Sequence, residues 1–134
     1  MKVEAYLSFE GRANEAIEHY RKAVGAEVTL LMRFKEAPPE AQSCADSAEK
    51  IMHAALSIGE STVLVSDGQC SGKSAFQGIS LSLTVKDEAE AERRYAALAE
   101  GGKALLPLHK PFFAKSFGMV ADRFGVQWMV IAPV

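Results

Sequence analysis

Every second residue of "VEAYLSF" and "ISLSLTV" carries a polar group: Glu4, Tyr6 and Ser8 in the first, Ser80, Ser82 and Thr84 in the second. A spacing of two puts such side chains on one face of a β-strand, so a carboxylate, a phenol and four hydroxyls could line a ligand surface. His53 in "KIMHAALSI" shares its parity with Ala55 and Ser57, opposite Met52, Ala54, Leu56 and Ile58. Imidazole titrates near neutrality and can serve as acid, base or ligand anchor; equally, it can hydrogen-bond across a sheet for structure. Glu4 would be a general base if burial raised its pKa, or a solvated strand end if not. Tyr6, Phe112, Phe113 and Trp128 are the rings available for stacking a planar ligand. Trp128 has the parity of the apolar face, and Phe112 and Phe113 follow a proline in a connection where one could cap a site. His109 and Lys110 could line a rim, while His19 is expected on the solvated side of a helix.

Two stretches position these groups in the same way. After the first strand, "GRANEAIEHYRKAVGA" sets Ala13, Ala16, Ile17, Tyr20, Ala23 and Val24 at helical spacing, with Gly25 as a stop. "EVTLLMRF" then reads as a strand, "KEAPPEAQSCADSAEK" as a long loop, and "KIMHAALSI" and "STVLVSD" as a hairpin joined by "GE". The order restarts at "ISLSLTV", whose Ile79, Leu81, Leu83 and Val85 form the apolar face. A helix follows with Asp87 and Glu90 as a capping pair and Ala91, Tyr95 and Leu98 on one stripe, then strands "KALLPLH", "SFGMVAD" and "VQWMVIA". Leu7 to Gly25 and Leu83 to Gly101 are both 18 positions apart. The chain therefore reads as strand, helix and three strands, twice, an internal repeat in pattern rather than identity. We expect a single domain of residues 1–134 made of two modules, about 1–67 and 78–134, joined by the loop 68–77. Each helix covers one sheet face, and the free faces are expected to curl together into a cup.

Composition narrows the function classes. The 134 residues suffice for one domain with a real core, and 49% hydrophobic with 24% charged residues is ordinary for a globular protein. Fifteen basic against seventeen acidic side chains, net −2, give no pull towards nucleic acid. No apolar run approaches the ~18 residues of a membrane helix, and "MKVEAYLSFEG" does not read as a secretory signal. A cytoplasmic protein is expected, with Cys44 and Cys70 as reduced thiols. "SDGQCSGKS" ends like a phosphate loop, but only three residues separate Gly68 from Gly72 and a strand follows instead of a helix. It reads as a turn.

The repeated βαβββ order, with "AYLSFEGRANEAIEHYRKAVGAE", "IMHAALSIGESTVLVSD" and "FGMVADRFGVQWMVIAP", resembles the vicinal-oxygen-chelate (glyoxalase, bleomycin-resistance and dioxygenase) superfamily. The nearer likeness is to its PhnB-like branch, often labelled after 3-demethylubiquinone 3-methyltransferase. The resemblance implies an α+β fold, two βαβββ modules forming a half-open barrel or cup, in a homodimer. It also implies four metal-ligand positions on strands facing the cup. These fall on Glu4, on Val63 or Leu64, on Ser80 and on Met129. Divalent cations want three or more histidine or carboxylate ligands, and only Glu4 qualifies, so no metal and no cofactor are expected. Methyl transfer finds no support either, because a glycine-rich turn between strand and helix in a parallel sheet is lacking.

Three functions follow from this reading. The first is a metal-independent cup for a small molecule, lined by Tyr6, Ser8, His53, Ser80 and Ser82, with Phe112, Phe113 and Met129 nearby. The second is a lyase, isomerase or dioxygenase using Glu4 or His53. The third is a structural or regulatory dimer whose cup is vestigial.

Overall fold

The computed structural model describes residues 1–38, 40 and 48–134. They fall into two compact units, Met1–Ser74 and Ala75–Val134. The first runs β1 (Ala5–Ser8), α1 (Ala13–Val24), β2 (Glu27–Arg33), β3 (Ile51–Ile58) and β4 (Ser61–Ser66), with a 3₁₀ turn at Phe34–Glu36. The second runs β5 (Ser80–Thr84), α2 (Glu88–Ala99), β6 (Lys103–His109), β7 (Ala114–Ala121) and β8 (Gln127–Pro133). The sheets are ordered β1-β4-β3-β2 and β5-β8-β7-β6. In each, the first and last strands of the unit pair parallel and the other neighbours antiparallel. The fold is α+β, and each unit is one βαβββ module.

In the first unit the helix stripe is buried as its spacing requires: Ala13, Ala16, Ile17, Tyr20, Ala23 and Val24 join Leu7, Phe9, Ala54, Leu56, Val63 and Val65 in the core. Gly25 ends α1 in the left-handed region at φ 67°, its N–H donating to the Tyr20 carbonyl. At the other end the Asp67 carboxylate, fully buried, does the capping. Oδ1 accepts from the Gly11 and Ala13 N–H groups (2.9 and 2.8 Å) and Oδ2 from the Ile51 N–H (2.8 Å). One side chain thus ties the β1–α1 turn and the start of β3 to the end of β4.

In the second unit, Trp128, Val130, Ala132, Val120, Ala91 and Leu98 form the core. Asp87 caps α2 by accepting from the Glu90 N–H (2.8 Å), and Glu90 Oε1 accepts from the Lys86 N–H (3.0 Å). This is the expected pairing. That backbone bond, opposed by partial desolvation and helped by Arg94 and Arg93, holds the Glu90 carboxyl below its ordinary value of 4.5. Tyr95 Oη lies 3.0 and 3.1 Å from the Leu106 and Met119 carbonyls, and burial pushes its phenol above the usual 10.0. Gly118 makes room for this ring: a Cβ there would stand 2.9 Å from Tyr95 Cε2 and 3.0 Å from the Leu106 carbonyl oxygen.

Three expectations change. His19 is buried, 8% exposed, because it lies three residues after Ala16 and four before Ala23 and so widens the buried stripe. Val3 and Ile79, assigned to apolar strand faces, precede their strands and are exposed. Cys70 is disulfide-bonded rather than a free thiol; the redox argument concerned the compartment and carried no information about how the loop folds. Pro39 and Cys44 lie outside the described residues.

Candidate functional site

Strand register decides which side chains share a face. In the first unit Tyr6 is registered with Leu64, Leu64 with Ala55, and Ala55 with Leu30; Ser8 is registered with Ser66, and His53 with Met32. Tyr6, Ser8, Leu64, Ser66, Ala55 and His53 therefore lie on the face opposite the buried row of Leu7, Val65 and Ala54. On this face Tyr6 Oη and His53 Nδ1 meet at 3.0 Å across the intervening strand β4. Their rings lie side by side, with centroids 5.6 Å apart and planes tilted by 33°. Tyr6 is half exposed (51%), so the pair is bound within the protein yet open to a visitor.

Glu4 sits just before β1, two residues from Tyr6. Its Oε2 is buried, and its partner is the exposed Lys2 ammonium at 3.2 Å. The contact is close enough for attraction, although its geometry is not that of a hydrogen bond. Of the two alternative fourth-strand positions, Val63 points into the core and Leu64 stands beside Tyr6.

The second unit repeats the arrangement with other chemistry. Ser82 is registered with Met129, Met129 with Met119, and Met119 with Leu106; Ser80 is registered with Gln127, and Thr84 with Ile131. Ser80 Oγ lies 3.4 Å from Gln127 Oε1. The face is polar along β5 and sulfur-rich and aromatic towards β7, where Phe117 receives the edge of Phe113 at 5.3 Å. Phe112 touches Phe113 edge-on at 5.3 Å and is otherwise 98% exposed. Trp128 belongs to the opposite, buried row, its Nε1–H donating to Asp122 Oδ2 (2.9 Å). His109 packs edge-on to Phe117 at 6.1 Å.

The metal positions implied by the resemblance thus carry one carboxylate, one hydroxyl, one thioether and one aliphatic side chain, a donor set that does not fit a hard or borderline divalent cation. Among the described residues no group of three or more His, Cys, Asp or Glu side chains could hold a metal. At α1 the first N–H group, that of Ala13, is already taken by Asp67 (2.8 Å), as is the Gly11 N–H in the turn before it (2.9 Å). The loop after β4 closes as a turn onto Glu10: Oε1 accepts from Ser71 Oγ (2.8 Å), Oε2 from the Gln69 N–H (3.1 Å), and the Glu10 carbonyl from the Gly72 N–H (2.9 Å).

Sequence reasoning found Tyr6 and His53 but not their bond, which spans 47 positions and depends on β4 lying between β1 and β3. It missed Asp67, read only as the end of a strand, because a carboxylate beside Gly68 signals a turn and nothing local tells of a helix 54 positions away. Met119, Phe117 and Gln127 were also missed as members of the free faces, and Leu64 was left as an alternative to Val63. Strand alternation could have included them once the strand order was known.

Comparison with known proteins agrees with this architecture. The family model for 3-demethylubiquinone-9 3-methyltransferase matches residues 1–131. Protein YjdN of Escherichia coli (strain K12) is 35% identical over 97% of this chain and 94% of its own length. The crystal structure of protein PA1353 from Pseudomonas aeruginosa superposes with a TM-score of 0.86 at 39% identity, covering 99% of this chain and 98% of that one. A PhnB protein from Bacillus cereus, a putative 3-demethylubiquinone-9 3-methyltransferase, superposes at 0.82 with 26% identity, covering 98% and 99%. With two βαβββ modules and these relatives along nearly its whole length, the chain belongs to the 3-demethylubiquinone-9 3-methyltransferase-like, PhnB-like family.

Proposed function

We propose that this PhnB-like protein binds a small organic molecule without a metal or cofactor, the modules 1–67 and 78–134 serving one function. On the first sheet by itself the candidate contacts are Tyr6, Ser8 and His53; on the second by itself they are Ser80, Ser82 and Met129, with Phe113 and the protruding Phe112 beside them. The observation that carries this reading is the free face of each sheet. Polar side chains there stand in register with Leu64 and Met129, so that hydrogen-bonding and apolar groups alternate across each face. Ligand sites have that mixture, whereas a vestigial face would be expected to fill with self-packing apolar groups. The methyltransferase in the family's name finds no cofactor turn in this chain.

An enzymatic variant of the same reading uses Glu4 or His53 for proton transfer. It draws on the buried Glu4 oxygen and on the solvent-accessible Tyr6–His53 hydrogen bond. We further propose a cytoplasmic homodimer. Exposed Leu105 and Leu106 on the edge strand β6, and exposed Ile79 and Phe112, support pairing with a second copy. No described helix is long and apolar enough to cross a membrane. The test is a thermal-shift screen of metabolite-like and antibiotic-like compounds, repeated with Tyr6→Ala and Ser82→Leu. Binding predicts hits on the parent chain that either variant weakens about ten-fold or more; hits untouched by both, or none at all, contradict it.

A further inference from the structure

The Tyr6–His53 bond restricts what the imidazole is able to recognise. A hydrogen bond of 3.0 Å between Oη and Nδ1 has two possible senses in neutral histidine. In one, the phenol donates to a bare Nδ1 and the ring proton resides on Nε2. In the other, Nδ1–H donates to the phenol oxygen and Nε2 is bare. A phenol, with a pKa near 10, is a far better proton donor than a neutral imidazole N–H, and imidazole nitrogen is a better acceptor than a phenolic oxygen. The first sense is therefore the stronger bond. When the ring is protonated both nitrogens carry hydrogen, Nδ1–H turns to the phenol oxygen, and the Tyr6 O–H is released outwards. In either state the outward-facing groups donate.

We infer that Tyr6 fixes His53 as a hydrogen-bond donor through Nε2–H, and that this face recognises an oxygen acceptor, a carbonyl or carboxylate, carried on an apolar group. The inference rests on the binding function proposed above and gives it a ligand class. The apolar part of the ligand is matched by Leu64, registered between Tyr6 and Ala55, and by Leu30 and Met32 on β2. A bare Nε2, which a metal ion or a proton-abstraction step would need, is the form this bond disfavours. His53 then acts as a specificity-determining contact and Tyr6 as the residue that positions its proton. Glu4, just before β1 and two residues from Tyr6, is ion-paired with Lys2 at 3.2 Å and so leaves no net charge there to decide for or against an anionic ligand. The carbonyl and carboxylate cases are accordingly separated by experiment.

Long-range ¹H–¹⁵N spectra of the full-length ¹⁵N-labelled chain, at about pH 8.5 where histidine is ordinarily neutral, read the tautomer directly. His53 is expected with a pyridine-type Nδ1 and a protonated Nε2, and Tyr6→Phe is expected to remove that bias. Three probes sharing one ring follow: benzoate, acetophenone and benzamidinium. Benzoate or acetophenone is expected to move the His53 Nε2–H, Leu64 and Ala55 signals, and benzamidinium, which offers only donors, is not. Response to benzoate alone assigns a carboxylate, to acetophenone alone a neutral carbonyl, and to both an acceptor of either kind. His53→Leu should weaken the responding probe about five-fold, the worth of one net hydrogen bond. A protonated Nδ1 with bare Nε2, benzamidinium binding here as well as the acceptor probes, or no response to either acceptor probe overturns the inference. If screened ligands still map to this face through other contacts, the binding function stands without it; if none does, both fall.

Discussion

Three backbone N–H groups from two separate segments converge on the fully buried Asp67 carboxylate. Such a side chain is worth more than any surface pair, since its loss strands donors that cannot be resolvated. Asp67→Ala should destabilise the first unit by about 3 kcal/mol or more, with Asp67→Asn costing less because one acceptor oxygen is kept. Urea unfolding of both variants checks the order; equal midpoints for Asp67→Ala and the parent chain would show the carboxylate to be idle. Asp122 does related work over a shorter span, accepting from the Phe124 and Val126 N–H groups and from Trp128. The Trp128 bond answers what a "DRFGVQWMV" stretch is for: its tryptophan packs inwards and closes on its own turn. The neighbouring Met129, which the resemblance sets at a metal position, faces the other way.

The start of α2 offers a pH-dependent test of an element. The Glu90 carboxyl is held below its ordinary value mainly by the Lys86 N–H, with Arg94 and Arg93 adding to it against desolvation. A depressed acid contributes stability that is present above the unfolded value of 4.5 and disappears as pH falls through the lower folded value. The parent chain should therefore lose more stability than Glu90→Gln between about pH 6 and about pH 3. Parallel curves would remove Glu90 from the account. Gly118 tests packing in the same unit. A methyl there meets both the Tyr95 ring and a carbonyl at about contact-breaking range, and Gly118→Ala should cost about 1–3 kcal/mol, as overpacking does. Elements of this kind were legible in sequence wherever one rule acted alone. The helical stripe from Ala13 to Val24, the Gly25 stop and the Asp87–Glu90 cap follow from spacing and local hydrogen bonding. Val3 and Ile79 were misplaced because each sits at the end of a periodic run, where one residue more or less reverses its environment, and His19 because the buried stripe of α1 is wider than its apolar residues alone mark out. The Tyr6–His53 bond was illegible for another reason, since it depends on strand order, which periodicity does not encode.

For the molecule as a whole, the repeat accounts for how one chain obtains two free sheet faces of the same geometry and different chemistry. Tyr6 in the first module and Ser82 in the second are registered with Leu64 and Met129 in turn, so each unit presents one hydrogen-bonding group beside one apolar one. Exposed Leu105, Leu106 and Phe112 lead us to expect twice the chain mass in light scattering after size exclusion. Phe112→Asp should shift that mass towards the single chain, and a monomeric parent would contradict the dimer. The superfamily fold was readable from pattern and wording together; the ligand was not, since one fold carries many chemistries and only particular side chains select among them. The central claim, binding without a metal, is tested most directly by metal analysis of the purified chain, stripped with a chelator and then offered zinc, nickel, manganese or iron(II). The account predicts no stoichiometric metal under any loading and ligand-induced thermal shifts that survive the chelator. One tightly held metal per chain, with ligand binding lost on its removal, would contradict it.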